Sequence, residues 1–433
     1  MRHMTYDEAR NWLEGISKKG GSLGLERMYD LVRELGDPQK QLKFIHIAGT
    51  NGKGSVMTYL EHTLNLAGYR VGRYLSPALF CYEERIRVKE QYIAKDQVAE
   101  LSDVLRAACE RLEAAGKEIP TIFEVETAMA FLHFQRSGCE IVLLECGMGG
   151  ETDATNVVEN TILEVFSSIS LDHAEYLGDT VEKIAQVKAG ILKAGSAAVS
   201  DRQSAGVRQV LCRKARERNV PIRFVDEQQI TVLKRSLAEQ SFRYKNHENM
   251  KICMAGTWQV RNACLALEAV DELRDLGYDL SESIVRKGFA GARLEGRFEA
   301  VRQKPTVIMD GAHNPEAALR LRETLEAYFP GKRLIYIMGV FADKDYSEEI
   351  ALTAPLAKRI YTVQTKDNPR ALDAAVLAEA VRRVNPDVVC AGSVPAALEQ
   401  ALAEAGDEDV IILFGSLSWL HEAREYLGGE DLE

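Results

Sequence analysis

The run from Phe44 to Val56 constrains this chain more than any other segment. Its beginning, up to Ala48, is largely apolar with β character, and a glycine-rich turn follows as Gly49-Thr50-Asn51-Gly52-Lys53-Gly54-Ser55. Apolar residues then recur at helical spacing before Gly68, at Val56, Leu60 and Leu64. Glycines let backbone N–H groups surround an anion, and a helix N-terminus and a lysine add positive potential. We therefore expect this strand–turn–helix to bind the phosphates of ATP.

The spacing of this turn differs from the usual phosphate loop. There a serine or threonine directly follows the lysine, whereas here Gly54 separates Lys53 from Ser55. The structural alternative is a strand-to-helix turn that needs glycines only for its backbone angles. Because glycines, lysine and serine all share the strand-to-helix context, we favour nucleotide binding and call Gly49–Ser55 the phosphate loop.

Composition excludes several classes of protein. The chain has 433 residues, of which 46% are hydrophobic and 27% charged, as in a globular protein of two or three domains. Its net charge of −11 argues against general nucleic-acid binding. We see no apolar run of membrane-spanning length and no signal-peptide pattern. The eight cysteines show no C-x-x-C pairing, so we expect reduced thiols in a cytoplasmic protein.

Short apolar runs alternate with helical stretches in two parts of the chain, which predicts an α/β fold. Predicted strands such as Val71–Leu75, Ile141–Leu144 and Val165–Ser170 indicate a parallel sheet covered on both faces. A small antiparallel flap is predicted over 220–250. We place a domain boundary before Gly296. This gives a doubly wound, mostly parallel phosphate-loop domain over 1–295 and a smaller Rossmann-like α/β domain over 296–433.

Polar residues stand where predicted strands end, which is where such sheets bind ligands. Glu145 precedes the glycines of Cys146-Gly147-Met148-Gly149-Gly150, and these favour Mg²⁺ binding over a simple turn cap. His173 follows another strand end and is either a second metal ligand or a packed or solvated imidazole. From its surroundings alone, Lys188 is predicted to be a solvated lysine at a helix end.

The segment Asp310-Gly311-Ala312-His313-Asn314-Pro315 closes a predicted strand and opens a helix. Asn314 as N-cap and Pro315 at the first helical position have a structural use. Asp310 and His313 are not needed for that cap, so we expect them to contact a ligand.

Together these segments resemble the folylpolyglutamate synthase/dihydrofolate synthase family, a branch of the Mur-type ATP-dependent ligases. The similarity covers nearly the whole chain in order, and the ordered set is more specific than any one motif. The further matching segments are Ser76-Pro77, Glu84-Arg85-Ile86, Thr121-Ile122-Phe123-Glu124, Glu145–Asn156, Leu171-Asp172-His173, Lys188-Ala189-Gly190-Ile191, Gln259–Ala263, Gly296-Arg297 and Lys344-Asp345.

The resemblance implies a role for each matching position. The phosphate loop would bind ATP together with Asn262, Arg297 and Asp310. The implied catalytic residues are Lys53, Glu145, His173 and Lys188, and the implied Mg²⁺ ligands are Ser76, Glu145, His173 and a carbamylated Lys188. The residues that would contact substrate, a pterin-containing acid, are Thr121, Ile122, Phe123, Glu124, Thr152, Asp153, Ala154 and His313.

Three sites depart from the family pattern. Histidine usually follows Ser-Pro, where this chain has Ala78. Arginine and leucine usually precede Asp-Ala-Thr-Asn, where this chain has Glu151 and Thr152. Histidine usually precedes the glutamine at 259, where this chain has Trp258. The first two sites lie near the expected metal and pterin positions. They do not affect the expectation of ATP use, but they leave the identity of the acceptor substrate undecided. An acid at 151 would repel an anionic substrate.

The expected reaction is ligation of L-glutamate to the carboxylate of a (tetrahydro)folate, driven by ATP with Mg²⁺ through an acyl phosphate. Dihydropteroate is an optional second acceptor, and a monomer is expected. One alternative is a paralogue that uses another carboxylate, and another is a degenerate ATP-binding regulatory module. A muramyl-peptide ligase would need a nucleotide-sugar domain for which the stretch before Gly49 is too short. A GTPase would need Asn-Lys-x-Asp, which the sequence lacks.

Overall fold

The structure, a computed structural model, describes residues 3–16, 24–172, 174–366 and 368–428. The chain forms two compact units. Unit 1 comprises Met1–Gln228 and Asn262–Phe289, and unit 2 comprises Gln229–Arg261 and Ala290–Glu433. The division between 1–295 and 296–433 stays a prediction.

A mostly parallel sheet forms the centre of unit 1. Its order is β4-β3-β2-β5-β1-β6-β7-β8, with β3 and β4 antiparallel to their neighbours. The central strands β1, β2, β5 and β7 are buried along their whole length, as expected for a sheet covered on both faces. The strands are β1 (Phe44–Ala48), β2 (Val71–Tyr74), β3 (Ile86–Val88), β4 (Gln91–Tyr92), β5 (Ile141–Glu145), β6 (Thr161–Phe166), β7 (Ala197–Ser200) and β8 (Ile222–Phe224).

Helices pack on both faces of this sheet. One apolar core includes Phe44 and Phe131, whose rings meet edge to face at 5.6 Å, and a second core includes Phe166 and Leu211. The helices that precede Gln229 are α1 (Tyr6–Ile16), α2 (Glu26–Glu34), α3 (Lys53–Leu66), α4 (Lys95–Ala114), α5 (Ile122–Arg136), α6 (Ala174–Leu177), α7 (Val181–Lys188) and α8 (Ala205–Arg218). Two more, α9 (Gln259–Asp275) and α10 (Glu282–Gly291), follow the flap described next.

Unit 2 combines the predicted flap with a second, mixed sheet. The flap is antiparallel, in the order β11-β10-β9, and the larger sheet has the order β12-β13-β17-β14-β15-β16. The strands are β9 (Ile230–Arg235), β10 (Gln240–Tyr244), β11 (His247–Ile252), β12 (Glu299–Gln303), β13 (Thr306–Met309), β14 (Leu334–Met338), β15 (Arg359–Val363), β16 (Val388–Gly392) and β17 (Val410–Phe414). The helices are α11 (Pro315–Tyr328), α12 (Tyr346–Thr353), α13 (Ala374–Arg382), α14 (Val394–Glu404) and α15 (Leu420–Tyr426).

The predicted α/β class is confirmed in both units, and one predicted strand is misplaced. Val165–Ser170 was expected to be a strand, but β6 runs over Thr161–Phe166. The sequence did not predict the first residues of β6 because the charged Glu164, fully buried inside the sheet, interrupts the apolar run that marked the other strands. Within the described residues, no helix combines the length and apolarity needed to cross a bilayer.

Substitution of Gly72 tests the packing of helix α5 on the sheet. A Cβ atom there would lie 2.7 Å from the ring of the fully buried Phe134. We expect Gly72→Ala to lower the free energy of unfolding by about 1–3 kcal/mol through overpacking. Gly15, in α1, has open space around its Cβ position, so Gly15→Ala should instead stabilise by about 0.5–1 kcal/mol. Calorimetric melting of both variants checks this, and a neutral Gly72→Ala would contradict it.

Candidate active site

The phosphate loop joins β1 to α3 and is tied to the segment after β6. Thr50 N donates to Ser168 O at 2.7 Å, and the Thr50 hydroxyl donates to Ser170 O at 3.2 Å while it accepts from Ser170 N at 3.1 Å. A Cβ atom on Gly49 would lie 1.9 Å from the hydroxyl oxygen of Ser167, so only glycine fits there. The conformation of the phosphate loop is therefore fixed by the segment that follows β6.

Two lysines meet at one carbonyl of this loop. Lys53, the first residue of α3, donates to the carbonyl oxygens of Gly49 and Thr50, each at 3.1 Å. Lys188, the last residue of α7, donates to the same Gly49 oxygen at 2.8 Å. Only 6% of Lys188 is exposed, so the expectation of a solvated lysine is wrong. Burial, followed by the charge of Lys53, lowers the pKa of Lys188 to about 8.

A carboxylate stands beside the lysines at the end of β5. Glu145 is 6% exposed, and its Oε1 atom lies 3.7 Å from Lys53 Nζ. Its Oε2 atom accepts from the backbone N–H of Ser76 at 3.1 Å, which brings the Ser76 segment after β2 to the same edge of the sheet. Over the part of the chain that the structure describes, no group of three or more His, Cys, Asp or Glu residues could hold a metal ion. His173 lies outside the described residues.

The loop after β5 is organised by Asp153. Its carboxylate accepts from Met148 N at 2.8 Å and from Thr155 N at 3.0 Å, and burial raises its pKa. Thr155 also contacts His46 Nε2 at 2.9 Å, and burial lowers the pKa of that imidazole to about 3, so His46 is neutral. Asp153 is therefore a loop anchor, whereas the neighbouring Thr152 is exposed.

The predicted substrate segment 121–124 opens helix α5. Thr121 and Glu124 form a reciprocal capping box. The buried Glu124 also pairs with Arg27 Nε at 3.1 Å, so its carboxylate is already engaged. The ring of Phe123 lies against the loop after β5, where a Cβ on Gly147 would be 2.5 Å from it. The structure thus brings Phe123 to the glycines that follow Glu145. Of the remaining predicted contacts, Ile122 is half-buried and Ala154 is buried.

Asn262 reaches the phosphate loop from helix α9. A Cβ atom on Gly52 would lie 2.6 Å from Asn262 Oδ1, and Gly52 has a positive φ of 93°. Both observations require glycine at 52. The carboxamide therefore lies against the residue before Lys53, and its contact with nucleotide stays a prediction.

The predicted ligand residues of unit 2 gather after β13. Asp310 accepts from Phe298 N and Ala312 N, each at 2.8 Å. Desolvation raises its pKa, against the opposing effect of the positive charge of Arg297. The guanidinium of Arg297 crosses Gly311, since a Cβ there would lie 1.9 Å from it, and His313 Nδ1 lies 2.7 Å from Gly311 O.

Helix α11 starts as the sequence predicts. Asn314 is its N-cap, with the side-chain oxygen accepting from Ala317 N at 2.9 Å, and Pro315 is its first residue. This confirms the structural use of both residues and leaves Asp310 and His313 outside the cap.

The three departures lie in different surroundings. Ala78 is half-buried, and the Glu151 side chain is exposed beside the loop that Asp153 anchors. Trp258 belongs to unit 2, where it is stacked against Arg320 and Arg261, with guanidinium carbons 3.1 and 4.6 Å from the ring centre. The indole N–H donates to Glu323 at 3.3 Å. Trp258 is therefore occupied in a cation–π stack.

Comparison with known proteins decides the family. Residues 47–270 match the Mur ligase middle domain, and residues 296–417 match the Mur ligase glutamate ligase domain. The chain belongs to the Mur ligase family. It is 32% identical over 435 residues to the dihydrofolate synthase/folylpolyglutamate synthase of Bacillus subtilis, which covers 98% of this chain and 99% of that protein.

Relatives in other organisms place this Mur ligase in the same branch. It is 31% identical over 428 residues to the dihydrofolate synthase/folylpolyglutamate synthase of Escherichia coli, covering 96% and 94% of the two chains. The Mycobacterium tuberculosis folylpolyglutamate synthase complexed with ADP superposes with a TM-score of 0.88 at 30% identity, over 99% of each chain. The resemblance stated from the sequence is thereby confirmed.

The sequence did not predict the hydrogen bonds that hold the site in place. Asn156, Glu164 and the Thr50–Ser170 pair carry hydrogen bonds between segments that lie far apart in the chain. Most of these bonds end on backbone groups, so no side-chain pattern marks them. The one available signal for Glu164 was a charge inside an otherwise apolar stretch.

The buried Glu164 makes stability depend on pH. It accepts from Lys193 N at 3.1 Å and from the Ser196 hydroxyl at 2.5 Å, and burial raises its pKa to about 8. The folded state then holds a proton that the unfolded state has lost, so this contribution to stability is complete below about pH 4.5 and disappears as pH rises through 8.

We expect Glu164→Gln to remove that contribution to the pH dependence. Its melting temperature should exceed that of the unchanged protein increasingly as pH rises towards 8, and the two should converge in acid. Melting curves at stepped pH check this. Parallel pH profiles for the two proteins would contradict it.

Proposed function

We propose that this protein joins L-glutamate to the carboxylate of a folate at the expense of ATP, with dihydropteroate as a further acceptor. The observation that carries the proposal is the convergence of Lys53 and Lys188 on the Gly49 carbonyl, beside Glu145. The relatives named for folylpolyglutamate and dihydrofolate synthesis support the acceptor, and the ADP-bound structure supports the nucleotide.

The proposed chemistry has two steps. A carboxylate oxygen of the acceptor takes the γ-phosphoryl group of ATP and ADP leaves. The amine of glutamate then attacks the acyl carbon, phosphate leaves, and the amine proton passes to solvent. The Lys53 ammonium, which now donates to two carbonyl oxygens of the phosphate loop, would neutralise the transferred phosphoryl group. Asn262 would contact the nucleotide beside Gly52, and in unit 2 we propose nucleotide contacts from Arg297 and Asp310.

We propose that the side-chain amine of Lys188 is carbamylated. A pKa of about 8 leaves about a tenth of the Lys188 amine neutral at pH 7. The neutral amine can attack CO₂, forming an N–C bond and releasing a proton, so that a cation becomes a carbamate anion. A buried anion beside the Lys53 ammonium is electrostatically favourable, whereas two ammonium groups on one carbonyl repel each other.

The donor atoms near Glu145 fit a magnesium ion. A carboxylate, the Ser76 hydroxyl and a carbamate are the hard oxygen ligands that Mg²⁺ prefers, and Ser76 N already contacts Glu145 at 3.1 Å. We propose Ser76, Glu145, His173 and carbamylated Lys188 as the residues that hold it. When bound, Mg²⁺ would neutralise and orient the phosphates of ATP.

The acceptor site is proposed from residues at the start of helix α5 and on the loop after β5. Phe123 and Thr152 offer side-chain surface, whereas the carboxylates of Glu124 and Asp153 are already bonded within the protein. We therefore propose that Glu124 and Asp153 shape the pocket walls, with the rest of segment 121–124 and Ala154 beside them. In unit 2, His313 is proposed to contact substrate. The cytoplasmic location and the monomeric state stay predictions.

Incubation with ATP, Mg²⁺, glutamate and a reduced folate should release ADP and give a product heavier by one glutamyl unit, measured by mass spectrometry. Dihydropteroate tested in parallel determines whether it is also an acceptor. ADP release without any glutamyl product would favour the regulatory module. A glutamyl product formed only with a different carboxylic acid would favour the paralogue. The exposed side chain of Glu151 is the expected reason for such a change in substrate.

Lys188→Met should lower kcat by at least about 100-fold, because a proposed ligand of the ion that neutralises the ATP phosphates is lost. Lys183 on the same helix is exposed and pairs with Asp179, so Lys183→Met is the matched control and should change kcat less than about twofold. With isotopically labelled bicarbonate, NMR should detect a carbamate carbon in the unchanged protein and in Lys183→Met. A carbamate signal that persists in Lys188→Met would contradict the assignment.

A further inference from the structure

Asn156 joins two loops of the candidate site. It is buried at the end of the loop after β5, in the short helix Ala154–Val157. Its side-chain Nδ2 atom donates to Glu151 O at 3.0 Å and to Gly190 O at 3.3 Å. One carboxamide therefore holds the loop that carries the proposed acceptor contacts against the turn that follows Lys188.

The two loops are in close backbone contact at this point. A Cβ on Gly150 would lie 2.8 Å from Lys188 O, and one on Gly190 would lie 2.4 Å from the Cβ of Glu151. Glu151 N also donates to Val187 O at 2.9 Å. A shift of either loop must therefore displace the other, because packed groups at these distances leave no free space.

Asn156 is itself fixed from a third direction. The Lys193 ammonium donates to Asn156 O at 3.0 Å, and Lys193 N donates to the buried Glu164 at 3.1 Å. The segment after Lys188 is thus held at both ends, by Asn156 at Gly190 and by Glu164 at Lys193. The position of the Lys188 Nζ atom against Gly49 depends on this bracing.

We propose that Asn156 is a positioning residue that couples the acceptor loop to Lys188. The inference rests on the proposed function and deepens it. A bound acceptor would fix the position of the loop after β5. The carboxamide of Asn156 transmits that position to Lys188 at the phosphate loop. A displacement of about 1 Å at a reacting group is enough to cost about 100-fold in rate. Loss of the bridge should therefore impair acceptor use and the chemical step, while the nucleotide contacts stay in place.

Unit 2 offers a matched control. Asn385 is buried and bridges two backbone carbonyls in the same manner, donating to Ala354 O at 2.9 Å and Ala357 O at 2.8 Å. Asn385 Oδ1 also accepts from Asp387 N at 3.0 Å, so Asn385→Ala removes the same kind of carbonyl bridge and one bond more. It should therefore lower the melting temperature at least as much as Asn156→Ala.

The kinetics should separate the two variants. For Asn156→Ala we expect kcat to fall about 10- to 100-fold and the KM for folate to rise, with the dissociation constant for ADP changed less than about twofold. Carbamate label at Lys188 should also decrease. Asn385→Ala should keep all of these values. Should Asn156→Ala fail to fold, Gly190→Ala disturbs the same contact and should give the same pattern.

Three results would overturn the inference. The first is kinetics and label in Asn156→Ala indistinguishable from those of Asn385→Ala. The second is an equal loss of ADP affinity, which would indicate general damage to unit 1. The third is the absence of carbamate label and glutamyl product in the unchanged protein, which rejects the proposed function itself and is distinguished from the other two by that control.

Discussion

The carbonyl oxygen of Gly49 is the point on which the site depends. Two lysine ammonium groups, from α3 and α7, donate to this one oxygen. Like charges so close together are costly unless anions join them. Glu145 approaches Lys53 to 3.7 Å, and the charges of Asp172 and Asp153 raise the pKa of Lys188 against the effect of burial. A polyphosphate and the proposed carbamate at Lys188 would add further negative charge at this point.

The rest of unit 1 positions the groups that surround the Gly49 carbonyl. The parallel sheet brings the ends of β1, β2 and β5 to one edge, where the phosphate loop, Ser76 and Glu145 meet. Glycines at 49, 52, 150 and 190 allow neighbouring segments to approach more closely than any side chain would permit. Asn156 and Glu164 then fix the segment around Lys188, so local packing and chemistry are aspects of the same construction.

Much of this could be predicted from the sequence, and the reasons for the failures are physical. Apolar runs separated by helical periods gave the α/β class, and the strand–glycine–lysine–helix pattern located the phosphate loop. The solvated Lys188 was wrong because its burial comes from the loop after β5, far away in the chain. The bridges of Asn156 were invisible because both partners are backbone carbonyls.

The most direct test of the account is calorimetric titration of ADP into the unchanged protein and into Lys53→Met. We expect saturable binding of ADP to the unchanged protein. In Lys53→Met the affinity should be about 10- to 100-fold lower, the equivalent of one lost charge-assisted hydrogen bond. Failure of the unchanged protein to bind ADP, or equal affinities in the two proteins, would contradict the central claim.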